Sequence, residues 1–420
     1  MPEAVSIESI RQAREAIGAI VRLTPVWPSA RLEELTGVPV FLKCENMQRT
    51  GSFKIRGATN FVAQWGGRAP AAGLIAASAG NHAQGIAYAG RAKGIPVTVV
   101  MPATAPLAKV SGARDLGARV VLHGSSLEQA RTEAQAMAER EGSLYVPPFD
   151  DDAVISGQGT VGLEIIEQVP EVADILVPAG GGGLLAGIAT AVKALKPGVR
   201  IVGVQSSAMD GICQSFAAHT VRTVPSSRTI ADGVAVAGPS ARTFALIEKY
   251  VDEMISVGDE AIAHAVVMLI EKSKIVAEGA GALAVAALSS GAYRPRGPVV
   301  AVVSGGNIDI NLLGSIVRRG LADAGRYQQL TVEVSDTPGA LALVASAIAE
   351  AGGNILEVEH NRDAPHLPIG IALLELVLEV NGAEHYDEII RLLRSKGLRG
   401  MPGRAARLAT EDARRRHEHE

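Results

Sequence analysis

Four short segments carry residue types that could do chemistry, and each lies beside a turn that opens a helix or ends a strand. The first is Thr50-Gly51-Ser52-Phe53-Lys54-Ile55-Arg56-Gly57. Gly51 supplies a turn and Ser52 a candidate N-cap, which places Lys54 in the first turn of a helix. The positive end of the helix dipole disfavours a cation there. A lysine so placed and partly buried has its pKa lowered toward the neutral amine that Schiff-base chemistry requires. A surface lysine at a helix start fits the same local pattern. The second segment, Ala77-Ser78-Ala79-Gly80-Asn81-His82-Ala83-Gln84-Gly85, follows an apolar run and begins a helical one. Free backbone N–H groups at such a junction, together with Ser78 and Asn81, suit a carboxylate. An ordinary strand-to-helix turn capped by Asn81 is the alternative.

The third segment is Pro178-Ala179-Gly180-Gly181-Gly182-Gly183-Leu184. Ordering glycine costs roughly 0.5–1 kcal/mol per residue relative to alanine. A run of them between an apolar strand and a helix therefore implies backbone that approaches a ligand closely or takes positive φ. A phosphate on these amides at a helix N-terminus is the natural occupant. The run also contains G-x-G-x-x-A (Gly181, Gly183, Ala186), so a dinucleotide site must be weighed. That fingerprint wants an acidic residue about 20 positions on, and the next strand ends in Gln205. The fourth segment, Ser304-Gly305-Gly306-Asn307, ends an apolar strand, where α/β sheets bind ligands; alone it reads as a generic turn.

The elements that must position these segments alternate. Strands are expected at Val40–Lys43, Leu74–Ala77, Val97–Met101, Arg119–Leu122, Asp174–Pro178, Ile201–Gln205 and Val299–Val303. Helices fall between them at Asn81–Lys93, Ala105–Leu116, Leu127–Arg140 and Gly183–Leu195. Continuous apolar strands separated by helices indicate a parallel sheet buried on both faces. Thr24–Pro28 reads as a Pro-bounded connection between two N-terminal helices. Beyond about residue 325 the pattern becomes β-α-β-β-α, a separate α+β module. The boundaries that follow are 1–325 for a two-lobed unit (smaller lobe about 45–150), 326–405 for the module and 406–420 for a charged tail.

Composition bounds the rest. The chain has 420 residues, 47% hydrophobic and 20% charged, with a formal charge of −4. It thus offers no basic field for nucleic acid. Aromatics are only 3%, so the core must be built from Ala, Val, Ile and Leu. Cys44 and Cys213 make neither a disulfide framework nor a metal-ligand spacing. The N-terminal stretch lacks a signal-peptide core, and no apolar run nears the ~18 residues of a membrane span. A cytoplasmic protein is expected.

Taken in order, TGSFKIRGA, ASAGNHAQG, PAGGGGL and SGGN strongly resemble the fold-type II pyridoxal-phosphate enzymes (tryptophan synthase β-like), in particular the threonine ammonia-lyase branch. The resemblance spans about residues 15–320. It implies that Lys54 carries the cofactor covalently and that Phe53 packs beside its ring. It implies further that Asn81 bonds the ring oxygen and that Gly180, Gly181, Gly182, Gly183 and Leu184 hold the phosphate. Ser304 then faces the ring nitrogen, and Glu278, in AEGAGA, lies beside the ring; a helix-start carboxylate is the plain alternative for Glu278. Ser78, Ala79, Asn81 and His82 surround the substrate. The implied reaction is β-elimination and deamination of L-threonine to 2-oxobutanoate and ammonia, the first step of isoleucine biosynthesis. L-serine and 3-hydroxyaspartate are alternative substrates. Serine racemases resemble the chain too, but carry a second serine where Ala79 stands, so racemisation is expected to be minor. Relatives with a divalent metal show Glu and Asp where this chain has Gln205 and Gly211, so no metal is expected, although Asp210 lies one residue out of register. Ser335-Asp336-Thr337-Pro338-Gly339-Ala340-Leu341 and Gly352-Gly353-Asn354-Ile355 resemble an ACT domain. That resemblance implies a homodimer or homotetramer and an amino-acid effector, isoleucine or valine, contacted near Asn354. A module that binds nothing is the alternative.

Overall fold

The computed structural model describes residues 4–65, 71–363 and 367–402. The tail expected at 406–420 lies outside the described residues. The chain divides into two compact units, 1–312 and 313–420. This division falls inside helix Ile310–Asp323, not after residue 325 as the pattern change suggests. Only Ile316 and Gly320 of that helix are buried, so it connects the two units more than it completes the first.

Among its described residues the first unit contains two sheets. The larger has six strands in the order Val26–Pro28, Val40–Cys44, Val299–Val303, Asp174–Pro178, Arg200–Ser206 and Glu253–Val257. All neighbours pair in parallel except the first two. Val26–Pro28, expected as a connection, is therefore an edge strand, which tolerates proline because one side of its backbone needs no partner. Every residue of Val299–Val303 and of Asp174–Pro178 is buried, as continuous apolar runs between two helical layers must be. The smaller sheet is wholly parallel, in the order Arg119–Leu122, Val97–Met101, Leu74–Ala77 and Leu144–Tyr145. Helix Asp152–Gln168 is buried over most of its length, and its N-cap Asp151 accepts from the amides of Ala153 and Val154. Its lack of a polar face hides it from periodicity, which reads only amphipathic helices.

The second unit has a four-stranded antiparallel sheet in the order Asn354–Asn361, Ile371–Glu379, Tyr327–Ser335 and Arg399–Pro402. Ile371–Glu379 alternates buried with half-exposed residues, as a sheet packed on one face requires. Helices Ala340–Glu350 and Ala383–Ser395 supply the packing. Strand Arg399–Pro402 extends the expected β-α-β-β-α order to β-α-β-β-α-β. Among the described residues no helix is long and apolar enough to cross a membrane.

Candidate active site

The carboxyl ends of strands Leu74–Ala77, Leu144–Tyr145, Asp174–Pro178 and Val299–Val303 converge on one cleft of about 770 Å³ in the first unit. This size suits a small molecule. Lys54 reaches the cleft because its segment is stitched to the end of strand Val299–Val303. The Phe53 amide donates to the Ser304 carbonyl at 3.1 Å, and the Gly306 amide to the Gly51 carbonyl at 2.9 Å. Gly51 has φ +71°, and a Cβ there would lie 2.3 Å from Asn307 Oδ1, so no other residue fits the turn. Helix Lys54–Trp65 then begins at Lys54 itself. Ser52 is not its cap: the Ser52 hydroxyl is buried without a hydrogen-bond partner among the described residues, because its backbone bridges to Gly305 instead. The Lys54 amine donates to the Pro148 carbonyl at 2.9 Å and lies 5.2 Å from the Phe53 ring centre. Burial lowers its pKa to about 8, against a smaller opposing pull from Glu278.

The tetraglycine run follows strand Asp174–Pro178 and opens helix Gly183–Leu195. Among the described residues, none of the amides from Gly180 to Leu185 donates to a protein acceptor. These are the orphan donors of a helix N-terminus, aligned with its dipole. The loop has no room for side chains: a Cβ on Gly181 would lie 2.4 Å from the Phe149 ring, and Gly182 holds φ +91°.

Across the cleft, strand Leu74–Ala77 delivers Ser78 to Asn81. Asn307 Nδ2 donates to the Thr50 carbonyl and to Asn81 Oδ1, both at 2.8 Å. Asn81 Nδ2 in turn donates to Glu278 Oε1 at 2.6 Å. Glu278 is the N-cap of helix Gly279–Ser289, where the helix-start reading put it, but its side chain makes no cap bond there and turns to Asn81 instead. Burial, reinforced by Asp232, raises Glu278 to about 7. His82 Nε2–H donates to the Val146 carbonyl at 3.0 Å; burial first and the Lys54 charge second bring it to about 4, so it is neutral. The Ser304 hydroxyl faces the Ala280 carbonyl at 3.4 Å.

The cleft thus gathers Phe53, Lys54, Ser78, Ala79, Asn81, His82, Gly180 to Gly183, Leu184, Glu278 and Ser304. Asn354 belongs to the second unit, where it is exposed and donates to Glu379 at 3.3 Å. Sequence reasoning missed several participants. Asn307 orients Asn81 yet sat in the segment read as a generic turn. Pro148 and Phe149 follow a strand of only two residues, too short to notice. Lys109 and Asp232, paired at 2.5 Å, also line the cleft. Beneath Lys54, a buried network joins Arg56 to Glu45 and Glu164, and Glu164 to Lys43. Only its charge type was visible in sequence.

Comparison with known proteins is consistent with this geometry. Residues 17–305 match the family model described as "Pyridoxal-phosphate dependent enzyme". A Thermotoga maritima protein named L-threonine ammonia-lyase is 44% identical over 393 residues, covering 94% of this chain and 98% of the relative. Among solved structures, a T.th. threonine deaminase superposes with TM-score 0.69 at 39% identity, covering 73% of this chain and 99% of that one. Maize serine racemase gives TM-score 0.72 at 36% identity, covering 76% and 99%. With the model spanning most of the first unit and the lysine, glycine loop and serine gathered in one cleft, the chain belongs to the pyridoxal-phosphate-dependent enzymes.

Proposed function

We propose that this protein is an L-threonine ammonia-lyase that converts L-threonine to 2-oxobutanoate and ammonia. One observation carries the reading: a lysine amine of lowered pKa shares a cleft with a run of free helix-terminal amides. Those two features match the two ends of pyridoxal phosphate, an aldehyde and a phosphate. The glycine loop fits the phosphate because its donors are unpaired and its surroundings exclude a Cβ. Lys54 would hold the aldehyde end, Phe53 would pack beside the ring, Asn81 would meet the ring oxygen and Ser304 the ring nitrogen.

When bound, the cofactor supplies the electron sink that makes a substrate Cα–H acidic. The protein supplies the base. Lys54 Nζ, with a pKa near 8, is neutral in a useful fraction at physiological pH and can take the Cα proton. The proton taken from Cα balances the hydroxide lost from Cβ, so one water leaves; hydrolysis of the released enamine takes one water up, and the sum is one oxo acid and one ammonia. Ser78, Asn81 and the amides beside them suit the substrate carboxylate. Ala79 carries no proton to the opposite face, which favours elimination over racemisation.

Borohydride reduction followed by peptide mapping should label Lys54, and Lys54→Ala should abolish both turnover and the cofactor's visible absorbance. A label on another lysine, or turnover surviving in the variant, overturns the assignment. Comparing kcat/KM for L-threonine, L-serine and 3-hydroxyaspartate tests the substrate. Preference for L-threonine supports the proposal; since one methyl discriminates by only ~1–3 kcal/mol, a clear preference for another substrate refutes it.

We read the second unit as an ACT-like regulatory module, on its β-α-β-β-α-β order and one-faced sheet, in a cytoplasmic homodimer or homotetramer. Calorimetric titration of the full chain with isoleucine and valine should show heat that Asn354→Ala diminishes. Silence with both would leave the module structural.

A further inference from the structure

Glu278 occupies a position that a charged carboxylate fits poorly. It is only 5% exposed, and no lysine, arginine or histidine forms an ion pair with it among the described residues. Its one protein donor is the neutral Asn81 amide, at Oε1. The direction of that bond is fixed from outside. The Thr50 carbonyl can only accept, so Asn307 must turn its NH₂ group toward it. The same NH₂ donates to Asn81 Oδ1, so Asn81 must turn its own NH₂ group to Glu278. Oε2 has no protein partner among the described residues, and the residue lines the cleft.

We propose that Glu278 is a positioning residue that works as the neutral acid: Oε1 anchors Asn81, and the protonated Oε2 offers a hydroxyl donor to the cleft. A buried carboxylate with one neutral donor is more stable protonated. The charged groups that face it agree. Asp232 disfavours ionisation; Lys109 and Lys54 favour it, but Lys109 is already paired with Asp232 and burial weakens Lys54's own charge. The balance, about 7, leaves the acid form populated at neutral pH. A hydroxyl there would meet an acceptor on the bound cofactor or substrate. This rests on the function proposed above, but its first test does not need the reaction.

In the cofactor-free full-length protein, difference infrared spectroscopy between wild type and Glu278→Gln should show a carboxylic-acid C=O band that disappears as pH rises through about 7. A band already gone by pH 6, as for an ordinary glutamate of pKa near 4.5, overturns the proposal whether or not the protein is a lyase. In the loaded enzyme Glu278→Gln, which mimics the neutral acid, should lose the alkaline limb that Glu278 contributes to the pH profile and should bind pyridoxal phosphate more tightly than Glu278→Ala. Glu278→Ala should bind pyridoxal phosphate about 10-fold more weakly, the equivalent of one lost hydrogen bond. If the Gln variant is as impaired as Ala at all pH values, the negative charge is what matters and the proposal fails. Should that variant not fold, an infrared titration of wild type with ¹³C-labelled glutamate still decides. A protonated Glu278 in a protein inactive on threonine would refute the lyase reading alone.

Discussion

Arg56 lies two residues beyond Lys54, fully buried, and it is the most heavily bonded side chain near the site. Its guanidinium meets the two Glu45 oxygens at 2.8 Å each and the two Glu164 oxygens at 2.7 and 2.9 Å. Lys43 adds a second cation, 2.5 Å from Glu164 and 2.8 Å from the Thr24 carbonyl. Two cations and two carboxylates cancel. Arg56→Met leaves one negative charge in excess with no water to screen it. Breaking a buried pair by deleting one partner costs about 3–5 kcal/mol, which for a unit of this size lowers the Tm by roughly 6–10 °C.

The pH dependence makes the argument testable. In wild type, burial alone would raise Glu45, but the Arg56 charge and hydrogen bond override it and hold its pKa below 4.5. That stability is present above the unfolded pKa and is lost as pH falls through the folded one. Without Arg56 a carboxylate in this pocket has its folded pKa above the unfolded value, so its contribution is intact below about pH 4.5 and lost as pH rises. The gap in Tm between wild type and Arg56→Met should therefore widen from pH 5 to pH 7. Both proteins should be measured cofactor-free by scanning fluorimetry. Adding Glu45→Gln to Arg56→Met should recover part of the loss, because it removes the excess charge. A gap that is constant with pH, or below about 1 kcal/mol, would show that water reaches the network and that the electrostatic reasoning is wrong.

Two other substitutions probe the site itself. Gly181→Ala puts a methyl 2.4 Å from the Phe149 ring. An overpacking penalty of about 1–3 kcal/mol should weaken cofactor retention roughly 10- to 100-fold, read from visible absorbance after dialysis; unchanged retention would mean that Phe149 yields without cost. Lys54→Met should stabilise the cofactor-free protein. The lysine's folded pKa of about 8 lies below its unfolded 10.5, so the group costs stability that returns only as pH rises. The gain, on the order of 1–3 kcal/mol, should be largest at pH 7 and below and fade above pH 10; a gain independent of pH would point to packing instead of charge.

Much of the fold was legible because its signals are local. The strands Leu74–Ala77, Asp174–Pro178 and Val299–Val303 coincide with apolar runs bounded by glycine, and Asn81–Lys93 and Gly183–Leu195 start where glycines end. Elements whose determinants are tertiary were not legible. Helix Asp152–Gln168 is buried on nearly all sides and so has no periodic polar face. Strand Val26–Pro28 exists only because Val40–Cys44 offers it an edge. The cleft followed the same division: Lys54 and the four glycines announce themselves through cost, an ill-placed cation and ordered glycine, whereas Phe149 and Asn307 look ordinary in sequence.

The relay from Thr50 through Asn307 and Asn81 to Glu278 shows why such residues escape a linear reading. Its bonds span 257, 226 and 197 residues of chain, and none has a preferred spacing. Asn81 arrives on the smaller sheet, while Asn307 and Glu278 arrive with the larger one. Any shift of one sheet against the other must break either the bond into Asn81 or the bond out of it. Each rupture leaves a half-buried polar group without its partner, at a cost of up to about 1–3 kcal/mol. The relay therefore ties the relative placement of the two sheets to the polarity of the cleft. A ligand that accepts a hydrogen bond from Asn81 or Glu278 would offset part of that cost.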